Sequence, residues 1–312
     1  MTQPLVSIVT PSYNQAPYLE ETICSVLEQD YGLVEYIVVD DASRDGSVEI
    51  ARRYADRLVL CAHERNSGQV AALNAGFARA TGELMCFLNS DDTLLPGSLT
   101  RMVDELTSDD SLLLVYGDAL YTDERSRQTG YLPSREFDIA EMVRHFDNHV
   151  VQPSTLWRRE AWDRFGPLND EGYYFFDFEF FLRLPSERVR RVAEPLSTYR
   201  IHVQAKSSGA DGSRLAHDHE RLAEAFITSD LLPEGARRFA REGSSSAYLL
   251  GAEFAYEALD LRRARRYVLR GLRRYPRHVS RRWVSLFVKS LVPRAVIGRL
   301  RRRRRLADPE SV

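Results

Sequence analysis

Continuous apolar runs alternate with amphipathic stretches through the first 120 residues. Residues 6–10, 36–39, 57–61 and 83–88 are short, largely apolar and rich in Val, Ile and Leu, which predicts strands buried on both faces. Between them, residues 17–29, 47–55 and 69–80 carry apolar positions at helical spacing, the last ending before Gly82. This order of strand and helix predicts a parallel, doubly wound sheet. A helix over 96–106 and a strand over 112–116 continue it, and then the regularity loosens from 121 to 172, with 152–157 strand-like and 159–165 helix-like. Residues 176–184 read as a short helix with Asp177 and Phe181 on one face, and 199–202 close a further strand. Beyond 214 the pattern is helical throughout, with helices expected at 214–228, 245–258, 262–274 and 281–291. The expected architecture is therefore α/β, a Rossmann-like, mostly parallel sheet flanked by helices over 1–213, with a C-terminal helical appendage over 214–312.

Composition changes this picture little. Hydrophobic content of 44% and charged content of 28% are those of a folded globular protein. Cys24, Cys61 and Cys86 are odd in number and lack CxxC spacing, so free thiols in a reducing compartment are expected, with neither a zinc site nor a disulfide framework. The first residues enter a strand pattern without a signal-peptide profile, which makes the cytoplasm the simplest location. The apolar stretch 283–298 is broken by Lys289, Pro293 and Arg294 and falls short of the roughly 20 residues that span a bilayer.

Charge changes it more. From 261 to 305 there are 18 Lys plus Arg and no acid, whereas residues 1–260 hold 25 basic and 43 acidic side chains. Such a separation has three readings. Trp283, Leu286, Phe287, Leu291 and Val292 interleave with cations, as in an interfacial helix pair on an anionic membrane surface, which would put 281–305 peripherally at the inner face of the plasma membrane. A nucleic-acid partner is not expected, since no recognised motif accompanies the charge. The third reading is a basic helix folding against the acidic body.

The candidate chemistry lies at strand ends. Asn89-Ser90-Asp91-Asp92 closes the apolar run 84–88, and an acidic pair at the carboxyl end of a sheet suits Mg²⁺ or Mn²⁺ bridged to a diphosphate, although the same residues are good turn and cap formers. Asp40 and Asp41 end the second strand, where a carboxylate can accept the N3–H of uracil or thymine, with Pro11 and Tyr13 walling the base; the same acids can instead cap the following helix. Asp45 reads as a helix cap. Tyr173, Tyr174, Phe175, Phe176, Phe178 and Trp157 read as a sugar-stacking wall or as core.

Six segments occur in a consistent order: Val6 to Asn14, Val38 to Ser47, Asn66-Ser67-Gly68-Gln69 with Asn74-Ala75-Gly76, Asn89 to Asp92, Phe176-Asp177-Phe178-Glu179, and Tyr199-Arg200-Ile201-His202. With them the chain resembles the family 2 glycosyltransferases over about its first 210 residues. The resemblance implies a GT-A fold, with 1–118 as the nucleotide-sugar half and 119–213 as the acceptor half. It implies inverting, cation-dependent transfer of a sugar from a nucleoside diphosphate, UDP or dTDP favoured, to a hydroxyl of a glycan or lipid-linked acceptor in cell-surface polysaccharide or glycoconjugate synthesis. Carried onto this sequence, it makes Pro11, Tyr13, Asp40, Gln69, Asn89, Ser90 and Asp91 nucleotide-binding residues. Asp91, Asp92 and His202 become ligands of Mn²⁺ or Mg²⁺, and Asp177 the catalytic base. Two positions depart from the family: Asn89 stands where an Asp is usual and Phe176 where a Glu is usual. These departures motivate the rival reading, a catalytically silent sugar-nucleotide-binding or scaffold protein at the membrane surface.

Overall fold

The computed structural model describes residues 3–172, 174–203, 205 and 211–293. The chain divides into two compact units, residues 1–139 with 148–209, and residues 140–147 with those from 210 onward, each as far as it is described.

The first unit is built on one sheet. β1 (Val6–Ser12), β2 (Val34–Asp40), β3 (Val59–Ala62) and β4 (Leu84–Phe87) alternate with α1 (Leu19–Leu27), α2 (Ser47–Arg52) and α3 (Gln69–Arg79). Every residue of β1 is buried, because it lies between β2 and β4. α1 buries Leu19, Thr22, Ile23 and Val26, a single stripe at helical spacing. α3 lies close on β1: a Cβ built at Gly76 would stand 2.4 Å from Val9 Cγ1, so the glycine sets the approach of helix to sheet.

The second half of this unit adds β5 (Thr93–Leu94), α4 (Ser98–Thr107), β6 (Leu114–Thr122), β7 (Gln128–Leu132), β8 (Thr155–Arg158), α6 (Arg159–Phe165), α7 (Phe176–Leu182) and β9 (Val189–Arg200). α5 (Ile139–His145), which precedes β8 in the chain, groups almost wholly with the second unit. The sheet order is β3-β2-β1-β4-β8-β6-β9-β5, with β7 on β6. Pairing is parallel from β3 to β4 and between β6 and β9, and antiparallel where β8, β7 and β5 join. The sheet is therefore mixed, and the parallel order read from the sequence holds for its first half. β9 is the element that matters for the site: it pairs with β6 between Val189 and Arg200 and, on its other edge, with β5 at Ser197 and Thr198, β5 following Asp92 directly in the chain.

Phe77, Phe87, Trp157, Trp162 and Phe180 form one ring cluster with centroids 4.5 to 6.4 Å apart, which joins α3, β4, β8, α6 and α7. Phe176 joins it through Phe87 at 6.0 Å. Trp157, Phe176 and Phe178 are buried, so of the two readings of these aromatics the core applies to all three. Tyr173 lies outside the described residues. All three cysteines are free thiols, and burial pushes that of Cys86 up to about 12.

The second unit is helical: α5, α8 (Gly212–Thr228), α9 (Glu234–Arg237), α10 (Ala240–Glu257), α11 (Leu261–Arg274) and α12 (Arg281–Lys289). Glycines set the close contacts here too, Gly251 against His219 and Gly271 against Leu249. Part of the basic stretch is neutralised inside this unit. Arg270 pairs with Glu220 at 2.6 Å, Arg274 with Glu224 at 2.7 Å and Arg282 with Glu253 at 2.5 Å. Among the described residues no helix is long and apolar enough to cross a membrane. Residues 294–305 of the basic tail lie outside the described residues.

Candidate active site

Parallel pairing puts the carboxyl ends of β1, β2 and β4 on one edge of the sheet, where ligands of such sheets bind. Ser12 and Asp40 are register partners there, and Phe87 pairs with Val9 two residues before Asn89. The loops that follow are fastened to each other. Asn14 N donates to Ser43 Oγ at 2.9 Å, Arg44 N to Asn14 Oδ1 at 2.9 Å, and Ala16 N to Asp45 Oδ2 at 2.9 Å. Asp45 also accepts from Ser47 N at the start of α2, as the cap reading expects.

The two acids at the end of β2 divide the labour. Asp41 is a structural brace: its carboxylate accepts from Ser67 N at 2.9 Å and Gly68 N at 2.7 Å and contacts His63 Nδ1 at 2.9 Å, which fixes the turn into α3 at a glycine with φ of 92°. Asp40 is different. Its Oδ1 accepts from Ser43 N at 2.9 Å, the cap-like bond, while Oδ2 is buried without a hydrogen-bond partner. The neighbouring Ser12 Oγ is likewise buried and unpartnered. A buried carboxylate oxygen left without a donor is costly in a free protein, and a ligand N–H would relieve it. Pro11 is buried in β1 beside this pair, whereas Tyr13 just beyond is exposed.

Asn89 and Asp92 are turned to the fold. Asn89 accepts from Gln69 Nε2 at 2.8 Å and donates to Gln152 Oε1 at 3.2 Å and to Asp92 Oδ2 at 3.3 Å. Asp92 Oδ1 accepts from Arg200 N at 2.9 Å. Burial, together with the adjacent Asp91 carboxylate, raises the Asp92 pKa well above the usual carboxylate range. Each oxygen of Asp92 thus has one partner, Arg200 N on Oδ1 and Asn89 Nδ2 on Oδ2. Ser90 is buried in the same loop.

Asp91 faces the other way and meets His202. Asp91 Oδ2 and His202 Nε2 are 3.0 Å apart. The ring of His202 is buried, its Nδ1 has no hydrogen-bond partner, and the Tyr18 ring holds it at 4.6 Å between centroids. Arg200 organises this corner: Nε donates to Asp91 O at 2.8 Å, one terminal nitrogen pairs with Glu21 at 2.7 Å, the other donates to Ser126 Oγ at 2.9 Å, and the guanidinium lies 4.9 Å from the Tyr18 ring. A 3.0 Å separation serves a hydrogen bond, and it is also the spacing of two adjacent ligands on an octahedral ion with bonds of about 2.1 Å. Among the described residues no group of three or more His, Cys, Asp or Glu is gathered for a metal ion. A cation held by this carboxylate and imidazole would take its other ligands from a bound diphosphate and water.

Asp177 stands in the first turn of α7, half-exposed, with Oδ1 accepting from Phe178 N at 2.8 Å. Phe176 packs on Phe87 and so anchors the start of the helix beside the β4 end. Glu179, two residues further along α7, is buried and accepts from Asn169 Nδ2 at 3.0 Å. Sequence reasoning gave no role to Arg200, Tyr18, Glu21 or Gln152. The only signal for Arg200 was a cation two residues before His202 at the buried end of a strand.

A mixed sheet of this order with flanking helices and an acidic loop at its carboxyl edge defines the GT-A glycosyltransferase fold. The chain belongs to glycosyl transferase family 2, whose model matches residues 7–166. An uncharacterized glycosyltransferase of Bacillus subtilis (strain 168), EpsJ, is 32% identical over 214 residues, which cover 63% of this chain and 61% of EpsJ. The chain thus spans about three fifths of that relative's length. Among solved structures, S. aureus TarS 1-349 in complex with UDP-GlcNAc superposes with a TM-score of 0.62 at 16% identity, covering 87% of this chain and 89% of that one. The mannosyltransferase PcManGT from Pyrobaculum calidifontis, in complex with GDP-Man and Mn²⁺, gives 0.58 at 21% identity, covering 93% and 80%. At these identities the structural likeness speaks for the fold.

Proposed function

We propose that this chain transfers a sugar, with inversion, from a nucleoside-diphosphate sugar to a hydroxyl of a glycan or lipid-linked acceptor, in the synthesis of cell-surface polysaccharide or glycoconjugate. The observation that carries this reading is the approach of Asp91 to His202 at 3.0 Å on the edge where Asp40 keeps an unpartnered oxygen. Asp40 Oδ2 accepts N3–H of the base, which favours uridine or thymidine over cytidine, and Ser12 and Pro11 line the same end of β1. Asp91 and His202 would hold Mn²⁺ or Mg²⁺ on this edge, with Asp92 and Asn89 supporting the loop. A divalent cation bound there supplies positive charge to the departing diphosphate. Asp177 takes the proton of the acceptor hydroxyl as its oxygen bonds to the anomeric carbon, and the bond from that carbon to the diphosphate oxygen breaks on the opposite face. The solved neighbours support the donor class and the cation, since one holds UDP-GlcNAc and the other GDP-Man with Mn²⁺.

The test is donor hydrolysis. Purified protein with Mn²⁺ is expected to release nucleoside diphosphate from at least one of a panel of UDP, dTDP and GDP sugars, and Asp91→Ala to weaken UDP binding only when the cation is present. Tight nucleotide binding with no release from any donor, with or without acceptors, would favour the silent binding protein that Asn89 and Phe176 motivate.

Peripheral attachment to an anionic membrane is supported by α12. Val284 and Val288, one turn apart, are exposed, as is Leu291 just beyond, and Arg281 and Lys289 are exposed cations on the same element. Full-length protein is expected to float with anionic liposomes at low salt and to lose that binding on Val284→Asp with Val288→Asp. Unchanged flotation of the double variant would remove α12 from membrane contact.

A further inference from the structure

The helical unit contains a cleft of about 460 Å³ lined by Arg241 of α10, Arg270, Arg273 and Arg274 of α11, and Glu224 of α8. Four guanidinium groups face one carboxylate. Two of the four are held in place from beneath. Arg274 pairs with Glu224 at 2.7 Å, and Glu224 also accepts from Tyr248 OH. Arg270 bonds Glu220 at 2.6 Å and Tyr248 OH at 3.2 Å, and Glu220 is oriented in turn by Tyr267 OH at 2.5 Å. The acids are therefore consumed in fixing Arg270 and Arg274. Arg241 and Arg273 have no carboxylate within ion-pair distance among the described residues, and both are exposed. Like charges concentrated in a cleft repel unless an anion joins them, and preset guanidinium groups bind oxyanions bidentately.

The lining also restricts what that anion belongs to. It contains no apolar residue, whereas a lipid surface requires apolar groups to insert, and the unit's exposed apolar residues Leu269, Val279, Val284, Val288, Leu291 and Val292 are not part of it. It presents no exposed aromatic ring on which a base could stack, since Tyr248 and Tyr267 are fully buried.

We propose that this cleft binds the oxyanion groups, phosphodiester or carboxylate, repeated along an anionic glycan, as a second holding point for the acceptor. The proposal rests on the reading of the chain as a transferase acting on glycans. A polymer held there raises its own effective concentration for transfer, so long anionic acceptors gain over short ones.

Binding is measured on the full-length protein without donor or cation, so its loss speaks to the cleft alone, whereas failure to hydrolyse any donor speaks to the transferase reading alone. The probes are a phosphodiester-linked oligosaccharide, a uronate oligosaccharide, a neutral oligosaccharide of equal length, a single-stranded oligonucleotide and anionic vesicles. Either or both anionic oligosaccharides are expected to bind, more weakly as salt rises, and the neutral one to fail. Arg241→Glu with Arg273→Glu should weaken that binding at least tenfold, while Arg262→Glu with Arg277→Glu, the same charge change outside the cleft, stays within twofold. Should the first pair fail to fold, Arg241→Gln with Arg273→Gln serves, with the same direction expected. Equal weakening by both pairs, failure of both anionic oligosaccharides to bind, or preferential binding of the oligonucleotide or the vesicles through Arg241 and Arg273 would overturn the proposal.

Discussion

The main-chain nitrogen of Arg200 donates to Asp92 Oδ1 at 2.9 Å while its side-chain Nε donates to Asp91 O at 2.8 Å. One residue thereby clamps the acidic loop to the end of β9 from both its backbone and its side chain. Because His202 follows two residues later, the clamp sets the distance between His202 and Asp91. Arg200→Met should remove the Glu21 pair, the Ser126 bond and the Asp91 bond together. Glu21 is exposed and can be solvated on its own, so the cost is that of the lost hydrogen bonds to the acidic loop, on the order of 1–3 kcal/mol, which should appear as a fall in melting temperature. The dependence of UDP binding on Mn²⁺ should fall with it, read by titration calorimetry at a temperature where the variant is folded. A variant that melts lower yet keeps its full Mn²⁺ dependence would show that β9 holds His202 without the clamp.

Asp40→Asn exchanges an unpartnered buried oxygen for a donor. The free protein should be no less stable, since Asn keeps the acceptor for Ser43 N while the substitution removes the unpartnered carboxylate oxygen. UDP affinity should fall by roughly 10- to 100-fold, the worth of one hydrogen bond to a charged group, because the new amide meets N3–H donor to donor. Cytidine diphosphate, whose N3 is an acceptor, should gain relative to UDP. Competition binding with the two nucleotides reads both effects, and an unchanged ratio would place the base elsewhere.

Asp177→Asn keeps shape and the bond from Phe178 N but cannot take a proton. Turnover should fall by about 10²-fold or more, with UDP affinity unchanged. Single-turnover rates against nucleotide binding separate the two, and retained turnover would remove Asp177 from the chemistry.

His219 makes the helical unit sensitive to acid. Its ring lies between Phe146 at 4.9 Å and Phe254 at 5.1 Å, and burial lowers its pKa to about 4 despite the bond to Leu215 O. Between an unfolded pKa of roughly 6.5 and a folded one of about 4, the unfolded chain binds the extra proton, so this residue's contribution is present above that window and is lost as pH falls through it. The loss is roughly 3 kcal/mol at most. His219→Phe should flatten the pH dependence of urea unfolding between pH 6.5 and 4, and an unaltered slope would assign the acid sensitivity to other groups.

Much of the first unit was legible along the chain. Buried parallel strands announce themselves as continuous apolar runs, so β1, β2 and β4 and the helices between them fell where the pattern put them, and with them the strand ends that carry Asp40 and Asp91. The helices α8, α10, α11 and α12 were legible for the same local reason. Tertiary structure decided what local pattern does not encode. Twelve residues of β9 with mixed exposure gave no clean period, yet they pair with β6 and β5 across more than 70 positions of sequence, and that pairing carries Arg200 and His202 to the acidic loop. The division between Asp91 and Asp92, two identical side chains in succession, was also invisible: one turns to His202 and the other is buried under Arg200, because adjacent residues at a strand end project in different directions. Periodicity reports which residues are buried, whereas which partner each polar atom meets depends on chain segments far apart in sequence and is settled only when the sheet is assembled.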